Sequence, residues 1–237
     1  MSRPRSYDLR RTRRGALPLR LARIHQALAA DDPVDLWLPT RPPGSELLAR
    51  AGFAPLPTSA SPRRPRVRVR ARRLHTLPDY VRPGLRLLVC GLNPSPFAAT
   101  SGVPFGRPGN RFWPAARAAG IVSTPCDPFA AARDGVGFTD LCKRTTRRAA
   151  TLRASEFRRG VADLEGLVER WRPAAVCLVG LEGWRRAVDA RARPGIVEGG
   201  LAGRPAYLMP STSGLNAHET AASLARHLTR ALRLTRR

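Results

Sequence analysis

Two short stretches constrain this chain most. LRLLVCG at residues 85–91 and AAVCLVG at residues 174–180 are apolar at nearly every position and end on glycine. A strand with one wet face alternates polar and apolar residues. A run that is apolar throughout reads instead as a strand covered on both faces, as in a parallel sheet between helices. The flanking segments agree. Residues 155–172 place Phe157, Val161, Leu164, Leu167, Val168 and Trp171 at helical spacing, with Ser155 as a candidate N-cap and Pro173 as the stop. Residues 110–119, 181–190 and 217–234 read as further helices, and 136–141 and 205–209 as further strands. Alternating strands and helices predict an α/β fold, a three-layer α/β/α sandwich around a mainly parallel central sheet. Ligands of such sheets bind beyond the carboxyl ends of the strands. That rule points at two loops, residues 91–110 and 210–217.

The texture changes near residue 77. Residues 1–77 hold 17 arginines against five acids, and eight prolines fall between positions 33 and 65. Helices are expected around 17–30 and 44–52. The run SASPRRPRVRVRARR at 59–73 could form a strand but reads more readily as a solvated basic linker. The expectation is a largely disordered N-terminal extension over 1–77, raising non-specific DNA affinity, ahead of a folded domain at 78–237.

The whole chain carries 42 basic and 17 acidic side chains in 237 residues, a net charge of +25. A polyanionic partner follows, nucleic acid ahead of an anionic membrane surface. Only Lys143 among the basic residues is a lysine, so part of the arginine excess reflects compositional bias. The cysteines Cys90, Cys126, Cys142 and Cys177 lie 36, 16 and 35 residues apart, which suits neither zinc nor an iron–sulfur cluster. Cys90 and Cys177 read as small buried hydrophobes, and no metal or cofactor is expected. His25, His75 and His227 show no metal or triad pattern, and Trp113, Trp171 and Trp184 read as core. No run of eighteen apolar residues and no secretory leader is evident, so a cytoplasmic, nucleoid-associated location is expected.

The first loop is GLNPSPFAATSGVPFGRPGNRFW, residues 91–113. Gly91 lets a ligand approach the backbone. Asn93 presents an amide that both donates and accepts, Pro94 and Pro96 stiffen its surroundings, and Phe105 offers a flat face for a base. The second loop is MPSTSGLNA, residues 209–217. Ser211, Thr212 and Ser213 suit a phosphate, Gly214 permits a tight turn, and Leu215 is an apolar tip that could fill the gap left by an extruded base. Arg107, Arg111 and His218 flank these loops, as phosphate contacts or as a solvated face.

The ordered motifs GLNPS, GRPGNRFW, GVGFTDLCKRTT and MPSTSGLNA, spread over residues 78–234, resemble the mismatch-specific uracil and thymine DNA glycosylases, most of all their bacterial branch. The resemblance implies the roles that follow. Asn93 falls on the catalytic asparagine that positions water, and Thr146 near a threonine that helps to hold it. Gly91 and Leu92 fall where backbone groups meet the base, Phe105 on the stacking aromatic, and Asp140 on a pocket position where relatives carry Asn or Lys. Asn110 belongs to a signature that braces the loop. Ser211, Ser213, Gly214, Leu215 and Asn216 fall on the DNA-contacting wedge loop, with leucine where animal thymine enzymes have arginine. Ser95 stands where many relatives have glycine. The implied activity is hydrolysis of the N-glycosidic bond of a mispaired or damaged base in double-stranded DNA, without cofactor, by a monomer. A neutral asparagine is no strong general base, so catalysis must rest on placing water and stabilising the departing base.

Competing readings are a sister branch specific for uracil or bearing an iron–sulfur cluster, which the cysteine gaps disfavour, and a non-catalytic DNA-binding protein of the same fold. A ribosomal or other RNA-binding basic protein would leave the motif order unexplained.

Overall fold

A computed structural model describes residues 4–39, 45–57 and 68–236. Its central sheet has five strands. These are β5 (Leu87–Gly91), β6 (Val136–Asp140), β7 (Ala175–Val179), β8 (Gly195–Leu201) and β9 (Arg204–Met209), in spatial order β6-β5-β7-β9-β8. All neighbours pair in parallel except β8 with β9. The strands alternate their side chains between two apolar layers. Leu88, Cys90, Val176, Leu178, Ala206 and Leu208 enter one layer, whereas Leu87, Val89, Ala175, Cys177, Tyr207 and Met209 enter the other. Helices α6 (Ala154–Trp171) and α7 (Leu181–Ala187) cover the first layer through Phe157, Leu164, Val168 and Trp184. Helices α4 (Phe112–Ala118), α5 (Pro128–Arg133) and α8 (Ala221–Arg233) cover the second through Phe112, Trp113, Phe129, Leu224 and Leu228. Each fully buried Leu or Phe contributes about 1.5–3 kcal/mol. This is the expected three-layer α/β/α sandwich.

Local chemistry sets the helix ends differently from the periodicity. The α6 helix begins one residue before Ser155, so Ser155 is not its cap. Arg153 precedes the helix, and its backbone N–H donates to the Glu156 carboxylate at 2.8 Å. The α8 helix starts at Ala221 because the Thr220 hydroxyl accepts the Ser223 N–H at 3.1 Å. The strand β8 was hidden in sequence by Gly195, Gly199 and Gly200. It pairs through a two-residue turn in which Ala202 and Gly203 both have positive φ, 48° and 70°, the conformation that matches hairpin twist.

The N-terminal segment departs most from expectation. Strands β1 (Arg5–Asp8), β2 (Pro33–Trp37), β3 (Phe53–Pro55) and β4 (Arg68–Arg73) form a second sheet in the order β1-β2-β4-β3, with helices α1 (Leu17–Gln26) and α2 (Ser45–Arg50). The run RVRARR, read as solvated linker, is the interior strand β4 of that sheet; residues 59–67 lie outside the described residues. Its alternation is real strand chemistry. Ala71 and Arg73 point inward, while Arg68, Arg70 and Arg72 point outward, where Arg68 and Arg70 pair with Asp35. Val34, Leu36, Leu38, Leu17, Leu21 and Phe53 are wholly buried and join the layer that also holds Leu85, Leu88 and Trp171. This lobe is thus part of the main core.

Candidate active site

The carboxyl ends of β5, β6 and β9 open into a cavity of about 170 Å³ lined by Leu92, Asn93, Phe105, Asp140, Thr146 and Ser211, among others. Its size suits a single ring better than a drug-sized ligand, for which sites run to roughly 300–1,000 Å³. A larger open hollow of about 820 Å³ lies away from it, among Asp8, Arg10, Arg11, Arg13 and Arg20 of the N-terminal lobe. That hollow is a solvated arginine surface, whereas the smaller cavity has converging polar groups, so the smaller one is the candidate site.

Asn93 is oriented by three acceptors. Its Nδ2 donates to Thr146 Oγ1 at 2.9 Å, to Pro94 O at 3.0 Å and to Arg144 O at 3.4 Å. The two carbonyls can only accept. The Thr146 hydroxyl gives its own proton to Arg148 O at 3.0 Å, so toward Asn93 it too can only accept. The amide nitrogen must therefore face these groups, which turns Oδ1 the other way, an acceptor without a partner among the described residues. The Thr146 hydroxyl thus ties Asn93 to the Arg148 carbonyl.

Phe105 forms the flat wall. It has φ of 54°, rare for a bulky residue. Stacking on Phe112 at 4.4 Å between ring centroids, and a hydrogen bond from Trp113 Nε1 to the preceding Pro104 carbonyl at 2.7 Å, keep it there. A residue held in this region persists only where its surroundings over-determine it. Gly91 is buried and is not one of the residues lining the cavity. A Cβ there would lie 2.5 Å from Asp140 Oδ1 and 3.3 Å from Phe105 Cζ. The Gly91 and Leu92 carbonyls accept from the N–H groups of Leu141 and Cys142, each at 2.9 Å, and the Leu92 side chain turns into the core. Asn110 accepts the Phe112 N–H on Oδ1 at 2.9 Å, starting α4 and bracing the loop. Ser95 caps α3 (Pro96–Ser101) by accepting the Ala98 N–H at 3.2 Å.

The second loop is tied to the first. Arg111 donates to the carbonyls of Ser213 at 2.7 Å, Asn216 at 2.5 Å and Glu219. Its two Nη groups are engaged inside the protein and its Nε is buried without a partner among the described residues, so it is not a solvated face. Asn216 Nδ2 donates to Ser211 O at 2.9 Å, and Gly214 lies so close to Gly109 that a Cβ would meet its carbonyl at 2.8 Å. These ties leave Leu215 at the tip, 79% exposed. Beside it runs a groove lined by Phe97, Arg107, Pro108, Arg147, Arg148 and Leu215. Arg147, Arg148 and Phe97 went unnoticed in sequence, although the dipeptide directly after Thr146 carried the signal. His218 is exposed. Among the described residues no group of three His, Cys, Asp or Glu side chains could hold a metal, and all four cysteines are free thiols. No helix among those residues is long and apolar enough to cross a membrane.

A family model described as the uracil DNA glycosylase superfamily matches residues 78–234. The chain belongs to that superfamily. Uracil DNA glycosylase superfamily proteins are DNA N-glycosylases, hydrolases that act on DNA, and the matched stretch contains every lining residue of the cavity except Leu77. Among solved structures, one determined by NMR in solution is similar, a protein of Methanosarcina acetivorans provisionally named a uracil DNA glycosylase. The two share 20% identity over 67% of this chain and 97% of that one, with a TM-score of 0.47. The N-terminal lobe precedes the superfamily match.

Proposed function

We propose that this protein is a mismatch-directed DNA glycosylase that extrudes uracil, with thymine as a second substrate, from a pair with guanine and hydrolyses its N-glycosidic bond. The observation that carries this is the forced orientation of Asn93, whose Oδ1 belongs to a ring-sized cavity walled by Phe105. In this reading Leu215 fills the gap in the duplex, and a mispaired base enters because its extrusion costs less than the few kcal/mol of a paired one. The base stacks on Phe105, and Asn93 Oδ1 accepts a hydrogen bond from water aimed at C1′. The C1′–N bond breaks with its electron pair leaving on the base. The water oxygen bonds C1′, and its proton passes to the anionic base or to solvent, leaving an abasic site. In this reading the protein acts as a monomer.

End-labelled duplexes holding one G·U, G·T or A·U pair, treated with the protein and then with alkali, test the reading. The expected result is strand cleavage, strongest at G·U. Binding without cleavage on all three would move the assignment to a non-catalytic DNA-binding protein.

Two further outcomes are expected. Gly91→Ala pushes Asp140 or Phe105 off position, and a displacement of that size costs on the order of 10²-fold in base release, read in the same assay at saturating protein. Replacing Arg107, Arg147 and Arg148 by glutamine leaves base release at low salt but flattens the dependence of DNA affinity on salt, by about 0.9 in log–log slope for each phosphate no longer neutralised. An unchanged slope in a filter-binding titration would remove the groove from the DNA interface.

A further inference from the structure

The two edges of the central sheet are finished differently. At one edge β6 is bridged by Tyr80, whose N–H donates to Phe138 O at 2.9 Å and whose carbonyl accepts the Phe138 N–H at 3.0 Å. At the other edge β8 has β9 on one side and, among the described residues, no strand on the other. An uncovered edge presents a row of backbone N–H and C=O groups and is a template for another chain. Gly195, Ile196 and Val197 keep regular register with Leu208, Tyr207 and Ala206, and the irregularity comes only after them, between Val197 and Leu201.

One face of β8 is uncovered as well. Val197 packs against the layer beneath α6 and α7. Ile196 points the other way, toward the side of α8. Tyr207 lies directly opposite Ile196 and is 3% exposed, with its hydroxyl 2.8 Å from His227 Nδ1 on α8. Ile196 is 63% exposed, so the helical layer ends between the two. The step leaves a hollow of about 290 Å³, lined by Pro194, Ile196, Tyr207 and Leu234 with Arg230 and Arg233 beside them. Both arginines are exposed, and neither forms an ion pair among the described residues. Arg193, just before β8, is exposed too, and Glu198 is the one acid on the strand.

We propose that this edge docks a partner protein through an extended acidic segment. The segment adds a strand to β8, sets one apolar side chain against Ile196 in the hollow, and aims its carboxylates at Arg230 and Arg233. Residues directly opposite on paired strands share a face, so the segment's residue opposite Ile196 lies over the hollow. Backbone hydrogen bonds supply affinity and alternate side chains supply specificity, as in other strand additions. Nucleic acid fits less well, because it would use the arginines and leave Ile196 and the strand edge bare. A second copy also fits less well, because pairing edge to edge sets the arginines of one copy against those of the other in a chain of net charge +25. The hollow shares no lining residue with the candidate active site, so filling one leaves the other open.

Fluorescence anisotropy of a short labelled peptide that alternates glutamate and valine tests this. The full chain is used at physiological salt, where exposed charges are screened beyond about 8 Å. A peptide of the same composition in block order is expected to bind about tenfold more weakly, since it matches the charge but not the alternation. Of two alternating peptides N-methylated at the glutamates or at the valines, one is expected to bind like the parent and the other about tenfold more weakly, because only one set of N–H groups faces β8. Ile196→Asp, and separately Arg230→Glu with Arg233→Glu, are expected to weaken the alternating peptide about tenfold each. All three positions are exposed, and an unchanged denaturant midpoint checks that the variants fold. Equal binding of the alternating and block peptides, or indifference to both N-methylations, overturns the proposal. These comparisons need only the wild type, so they decide the matter even where a variant fails to fold. Arginine variants that lose affinity for plain duplex DNA but not for the peptide would make the surface a DNA contact and also overturn it. A wild-type dimer in sedimentation that Ile196→Asp dissociates would give the edge to a second copy, with the same consequence. No readout uses base release, so the outcome is independent of the glycosylase reading.

Discussion

Asn93→Ala lowers uracil release from a G·U duplex by roughly 10²–10³-fold, the cost of deleting one preorganised polar group from a catalytic site. The fold is expected to be unchanged, because the side chain is half-buried and its partners are two carbonyls and a hydroxyl that water can satisfy. DNA affinity is also expected to hold, since the arginine groove and Leu215 are untouched. Thr146→Val separates orientation from chemistry. It removes the 2.9 Å acceptor that pins Nδ2 and lets the amide turn, with a smaller loss of about tenfold. Single-turnover rates on labelled duplex, with binding measured in parallel, check both. Base release by Asn93→Ala at the wild-type rate would sink the assigned mechanism.

Deleting residues 1–73 is expected to abolish folding rather than trim a tail. The lobe they form fills the layer over β5 and β7, and its removal bares Val81, Leu85 and Trp171. It also breaks a buried polar junction. Arg50 Nε lies 2.6 Å from Asp79 Oδ2, with both side chains less than a tenth exposed. Burial alone would raise the Asp79 carboxyl. The charges of Arg50 and Lys143, with hydrogen bonds from Lys143 and Thr139, outweigh it and hold it below its usual range. Removing one partner of such a pair costs about 3–5 kcal/mol, against a total stability of about 5–15 kcal/mol for a domain. Arg50→Met alone is therefore expected to remove a large share of the stability, visible as a lower denaturant midpoint. The same lobe grips the loop that carries Asn93 from behind. Arg73 donates to Ala99 O at 2.8 Å and Gln26 to Gly102 O at 3.1 Å, which fixes the end of α3 just beyond Asn93. A cooperative unfolding transition in residues 74–237 alone, matching that of the full chain, would contradict this account. For the same reason, the lobe's contribution to DNA affinity is better measured by neutralising arginines in the intact chain than by truncation.

Local patterning along the chain was enough to specify the sandwich and the address of the site. The runs at 85–91 and 174–180 are apolar on both faces because both faces of β5 and β7 are covered, and such runs have few other folds open to them. Asn93, Phe105, Asp140 and Leu215 were legible because they sit in loops, or at a strand end, whose position follows from strand direction. Three things were settled by long-range packing instead. The segment 68–73 reads as solvated charge along the chain, yet its outward arginines find Asp35 across the sheet and its inward Ala71 and Arg73 find a core. Pairing partners 33 or more residues away leave no local signature. Arg111 looks like any other arginine in a chain full of them, until the second loop folds back and offers three carbonyls. The burial of Asp140 depends on its place opposite Gly91, which comes from another strand. A side chain's charge state follows from what surrounds it, and that is set only when those elements pack together.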